Sequence, residues 1–192
     1  MSKKDAILKT AAALFASQGY EATTTQQIAL EAGVTEPLIY YHFKGKDDIF
    51  TRILKGCVED YFERLETLKK SSASRFEIIE KLVVLHYDLV EAMPNEAYLI
   101  FSTCPSRLKD PSDYCAATIR KHRKQVLAYL TDCLKEGVKA GVFVKLPIEE
   151  TAMLILALIN GLVRQRALGM EKLETMRRTA IEFCRRSLLA ES

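Results

Sequence analysis

The sequence is poor in everything that would bend, cross-link or anchor a chain. Only 8 glycines and 5 prolines punctuate its 192 residues, which leaves long uninterrupted helices as the simplest arrangement. No segment alternates apolar and polar residues in the way a half-buried strand does, and there is neither an internal repeat nor a low-complexity tract. Cys57, Cys104, Cys115, Cys133 and Cys184 are scattered, odd in number and never closely paired. Free thiols in a reduced cytoplasm are therefore expected. Met1 is followed by Ser-Lys-Lys-Asp and no apolar signal core, which argues against secretion. The most apolar run, 152–163, is too short to cross a bilayer and contains Asn160, so no membrane partner is expected. A glycine-rich phosphate loop, a nucleophile motif and paired metal ligands are all missing. Neither enzyme activity nor a cofactor or metal is expected.

One-sided charge is missing as well. The formal net charge is +3, which permits a nucleic-acid partner without identifying one. Between Met1 and Asp47, Lys3, Lys4, Lys9, Lys44 and Lys46 are balanced by Asp5, Glu21, Glu31, Glu36 and Asp47. Any DNA affinity must then come from charge placement and dimerisation rather than from a basic arm.

What is present is helical periodicity in a chain that is 48% hydrophobic and 28% charged, the balance of a globular protein. Ile7, Leu8, Ala11, Leu14 and Phe15 share one face of a helix over 3–18. A fourth helix starts after Gly45, where Asp47 and Asp48 suit the positive end of the helix dipole, and its apolar stripe runs towards Lys70. Further helices are expected over 76–93, 96–104, 112–140, 149–168 and 172–189, with 105–111 the most loop-like stretch. The fold class is all-α. The N-terminal domain, 1–47, is a three-helix unit, and 48–192 forms a second helical domain.

Between helix one and helix four lies the most informative stretch, Thr24 to Lys46. Its first helix opens at Thr24 with Gln27 three residues on, a spacing that lets each side chain satisfy a free backbone N–H. Gly33 supplies the left-handed residue that stops this helix. Thr35 caps the next, whose first turn tolerates Pro37. Two short helices joined by a glycine turn, with a small residue at Ala29 where they cross, meet the demands of a helix-turn-helix. Ile28, Ala32, Val34 and Ile39 form the shared core. Gln26, Thr35, Glu36, Pro37, Leu38, Tyr40 and Tyr41 are left to face solvent or DNA.

Phe15 to Tyr20, Thr24, Thr25, Ile28, Ala29, Ala32-Gly33-Val34 and Tyr40-x-His42-Phe43-x-x-Lys46 together resemble the N-terminal signature of the TetR family of transcriptional regulators. The match spans Ile7 to Ile49, about a quarter of the chain. The resemblance implies that Thr25, Tyr40 and Lys46 bind phosphate and that His42 touches the DNA backbone, contacts that set position and affinity. It places Gln26, Thr35, Glu36, Pro37 and Tyr41 nearest the base edges. Packing or plain exposure is the other reading for Tyr40 and His42, and a solvated first-turn acid for Glu36. Many relatives carry glycine where this chain has Pro37, which leaves the docking angle open.

One helix-turn-helix reads one half-site, so a homodimer on a palindromic double-stranded operator is expected. Leu154, Leu158, Leu162, Leu173, Met176, Ala180, Phe183 and Cys184 on the last two helices offer apolar surface for a four-helix interface, or for the subunit's own core. The resemblance also implies that 48–192 binds a largely apolar small-molecule effector, with Tyr61, His86, Tyr98, Phe101, Cys104 and Asn160 supplying polar groups. The other reading of His86 is a satisfied core or surface histidine, of Cys104 a small buried hydrophobe or an oxidant sensor, and of Asn160 a contact to another subunit. The function implied is a ligand-responsive repressor. Alternatives are a helical protein-interaction module, or an enzyme built around His86, Asp88 and Cys104.

Overall fold

The structure, a computed structural model, describes residues 1–69, 74–100, 114–167 and 173–190. The expectations placed on Phe101 and Cys104 fall outside these residues, as does the side chain of Leu173. Among the described residues there are nine helices and no strand. They are α1 (Lys3–Gln18), α2 (Thr25–Glu31), α3 (Glu36–His42), α4 (Lys46–Lys69) and α5 (Arg75–Ala92), then α6 (Pro94–Tyr98), α7 (Tyr114–Lys139), α8 (Ile148–Ala167) and α9 (Leu173–Leu188). The helix expected over 96–104 begins earlier, at Pro94, whose missing N–H costs nothing in a first turn. No helix among the described residues is long and apolar enough to cross a membrane.

The chain divides into two compact units, Met1–Asp60 with Met93–Ile119, and Tyr61–Ala92 with Arg120–Ser192. In the first, α1 is fixed at its start by a capping box between Ser2 and Asp5. Its buried face, Ile7, Ala11, Leu14 and Phe15, packs with Ile28 and Ala29 of α2, Ile39 of α3 and Ile49, Phe50, Ile53 and Leu54 of α4. Phe15, Tyr20 and Phe50 meet at ring separations of 5.1 to 5.7 Å, spacings at which tilted aromatic pairs add to simple area burial.

The second unit packs α5, α8 and α9 against one another. Ile79, Leu82, Val83, Val126, Leu130, Leu134, Ile155 and Ile159 are buried in it. Ser74 and Glu77 make a reciprocal capping pair at the start of α5. Arg185 of α9 reaches Glu80 of α5 at 2.8 Å and lies over the Phe76 ring. The connection after α7 is tied to the C-terminal end of α9, with the Val144 N–H donating to Leu188 O and the Ala190 N–H to Val142 O. Gly137 has to be glycine there, because a Cβ would stand 2.1 Å from the Phe143 ring.

Candidate nucleic-acid interface and effector site

The turn between α2 and α3 is built as its spacing predicts. The Gly33 N–H donates to Leu30 O and the Val34 N–H to Ala29 O, the paired bonds of a Schellman stop, with Gly33 at φ 63°. Thr24 accepts from the Gln27 N–H at 3.1 Å. The reciprocal half of that cap is replaced: the Gln27 side chain instead exchanges hydrogen bonds with Gln18 and donates to Glu31. Thr35 is the N-cap of α3, but its side chain makes no capping bond. Glu36 and Pro37 occupy the first turn of that helix.

Of the nine residues expected to face DNA, Gln26, Thr35, Pro37, Tyr40 and Tyr41 are exposed. Tyr40 and Tyr41 are the extreme cases, with 56% and 81% of their surface in solvent. That decides against packing as the main role of either ring. Phe43, by contrast, is core. Thr25, Glu36, His42 and Lys46 are half-buried, and three of them have intramolecular partners. The Thr25 hydroxyl donates to Glu36 Oε1 at 2.7 Å and lies 3.3 Å from the Tyr40 hydroxyl. These contacts join α2 to α3. Lys46 Nζ donates to the backbone oxygens of Tyr20 and Glu21 at 2.9 and 3.3 Å and sits over the Tyr20 ring. An ammonium has three N–H donors, and these two bonds use two of them. The His42 ring is flanked by Tyr41 and Phe43.

Asp48 organises the entrance to α4. It accepts from the Lys44 N–H and pairs with Arg52 at 2.9 Å. Burial raises its carboxyl pKa, but that hydrogen bond and the guanidinium outweigh burial and leave it below the usual value.

In the second unit, Tyr61 of α4, His86 of α5 and His122 of α7 converge. The Tyr61 ring lies 5.0 Å from His86 and 4.3 Å from His122, with Phe62 at 5.7 Å from His122. His122 is the member the sequence reading missed; no motif marks it, and only the three-dimensional approach of α4 and α7 singles it out. His86 is buried, and burial lowers its pKa to about 4 despite its bond to Leu82 O. Burial, reinforced by His86, lowers His122 to about 4 as well. The Tyr61 phenol is pushed well above its ordinary value by burial. Both imidazoles are therefore neutral near pH 7.

The other expected effector residues are more dispersed. Asn160 is half-buried on α8 in the second unit, and Tyr98 is half-buried on α6 in the first. Of the proposed dimer residues, Leu162, Ala180 and Cys184 are buried inside the second unit. They are core because each falls on the inward stripe of its helix. Leu158 is half-buried, whereas Leu154, Met176 and Phe183 are 70%, 39% and 64% exposed. Met153 adds to the exposed apolar surface.

Residues 7–53 match the family model for bacterial regulatory proteins, tetR family. The HTH-type transcriptional repressor KstR2 of Mycobacterium tuberculosis is 28% identical over 142 residues, 74% of this chain and 70% of that protein. The solved ketosteroid regulator KstR2 of the same organism superposes with a TM-score of 0.82 at 23% identity, covering 99% of this chain and 96% of the other. AibR in complex with isovaleryl coenzyme A and operator DNA shares the fold at TM-score 0.77 and 19% identity, over 95% and 97% of the two chains. FadR of Bacillus subtilis in complex with stearoyl-CoA does so at TM-score 0.71 and 22% identity, over 93% and 96%. The glycine-stopped helix-turn-helix lies inside the segment that matches the tetR family of bacterial regulatory proteins, and the chain as a whole shares the fold of these solved regulators.

Proposed function

We propose that the protein is a ligand-responsive repressor that binds a palindromic operator as a homodimer in the cytoplasm, without catalysing a reaction. The observation that carries this reading is that Gln26, Thr35, Pro37, Tyr40 and Tyr41 are all exposed on or beside α2 and α3, the two helices that the Thr25–Glu36 contact joins. Thr25, Tyr40, His42 and Lys46 place the head on phosphates. Gln26, Thr35, Pro37 and Tyr41 lie towards base edges, and Glu36 acts chiefly by holding Thr25. Residues 1–47 form the reading head and 48–192 the effector and dimerisation part. The exposed Leu154, Met176 and Phe183 on α8 and α9 are the apolar surface a second copy would cover. KstR2 is named a repressor, and AibR and FadR are described with acyl coenzyme A ligands; both support repression relieved by a small molecule.

In this account an effector favours one spacing of the two heads and acts through α4, which begins at Lys46 and carries Tyr61. A coupling of about 1–3 kcal/mol changes operator affinity usefully. The test is duplex binding across a salt series by wild type and by Tyr40→Phe with Lys46→Ala. The double variant should bind more weakly on every sequence, with a salt slope shallower by about one for the lost lysine contact. Unchanged affinity and slope would contradict the reading.

A further inference from the structure

The Tyr61–His86–His122 cluster has a hydrogen-bonding demand that its own side chains leave unmet. His86 Nδ1 lies 2.8 Å from Leu82 O. A carbonyl oxygen only accepts, so Nδ1 must carry the proton. In a neutral imidazole Nε2 is then a bare acceptor. That atom is buried and has no hydrogen-bond partner, and the same holds for the Tyr61 hydroxyl. Two such atoms on rings that meet edge-on with centroids 5.0 Å apart are uncommon, because buried polar groups nearly always find partners. The rings of Phe62 and His122 pack against Tyr61.

We infer that this cluster recognises a hydroxyl group on an uncharged, otherwise apolar effector, the hydroxyl donating to His86 Nε2 and accepting from Tyr61. The inference rests on reading the second unit as the effector-binding part and adds the chemical class. A carboxylate has no proton to give Nε2 and would enter a setting of neutral rings. An ether accepts from Tyr61 but leaves Nε2 unsatisfied. Among groups carried on a carbon skeleton, a hydroxyl is the smallest neutral one that both donates and accepts. Sites that bind a hydroxyl through buried polar groups discriminate strongly against analogues lacking it, because those groups are then left unpaired.

The experiment titrates the full chain with matched linear and polycyclic sets, each an alcohol, its methyl ether and the corresponding carboxylate. At least one alcohol should bind about tenfold or more tighter than both its counterparts. On wild type, the His86 Nε2 nitrogen resonance should move on adding that alcohol and stay still with the ether. Tyr61→Phe, which removes only the hydroxyl, and His86→Phe should each bring the alcohol-to-ether ratio towards one. No alcohol preference in any set, or a preference that survives both variants, overturns the inference. Operator binding on the same preparations separates the two readings. Intact salt-sensitive binding without an alcohol preference removes the hydroxyl class alone, whereas absence of operator binding by unliganded wild type removes the regulator reading.

Discussion

The two units treat polar groups in opposite ways. In the first, the one buried polar side chain among the described residues, Thr23, is fully used: its hydroxyl donates to Gly19 O and accepts from Gln18. The candidate DNA-facing side chains there are exposed, or half-buried and held by neighbours. In the second, His86 Nε2 and the Tyr61 hydroxyl are buried without partners. Satisfied polar groups hold a single arrangement, as a reading head requires. Unsatisfied ones leave free energy that a bound molecule can recover, as a sensor requires.

The largest expected effect probes the rigid side of that contrast. Phe15→Ala removes the ring shared by Tyr20 and Phe50 and should cost about 3–5 kcal/mol of stability, read from denaturant unfolding. Operator binding should fall with it. A cost below about 1 kcal/mol would mean that the aromatic group does not hold the head.

Acid probes the other unit. His86 and His122 are lowered to about 4 from a normal 6.5, so between those pH values the unfolded chain binds more protons than the folded one. Stability must therefore fall as pH drops through this window and level off below it, by about 3 kcal/mol for His86 alone. His86→Phe should flatten the profile, whereas Phe15→Ala should shift it without changing its shape. Equal slopes in wild type and His86→Phe would break the comparison.

The smallest effect concerns Glu36. Glu36→Gln keeps an acceptor for Thr25 but removes its charge, so stability should change by about 1 kcal/mol or less. Base preference in selected duplexes should stay the same if the carboxylate acts through Thr25. A changed base at one position would instead make Glu36 a reader of cytosine N4.

Most of the fold could be read from local signals. Gly33, Thr24 and Pro37 mark element ends through backbone chemistry that involves only near neighbours, and the apolar stripe of α1 needs no partner to be recognised. The bonds of Lys46 to Tyr20 and Glu21 were not legible, because they join residues about 25 positions apart and depend on the return of α4 beside the end of α1. The spacing of Gln27 from Thr24 predicts a bond to its own helix start, yet Gln18 from α1 engages the Gln27 side chain instead. On α8 and α9 the apolar residues alone could not divide Leu162 and Cys184, which are core, from Leu154 and Phe183, which are exposed. An apolar stripe wide enough for both an inner and an outer contact carries no mark of which is which. His122 carries no local mark for a similar reason, since its partners Tyr61 and His86 lie on two other helices.

The central claim is that a paired head reads DNA through the segment from Thr24 to Lys46. Selection of bound molecules from a pool of random duplexes tests it most directly, because sequence, symmetry and spacing emerge together. The account predicts an inverted repeat whose half-sites are centred about one helical turn apart, with enrichment lost in Tyr40→Phe with Lys46→Ala. A pool that stays random, or that yields an unpaired site still enriched by the double variant, would contradict it.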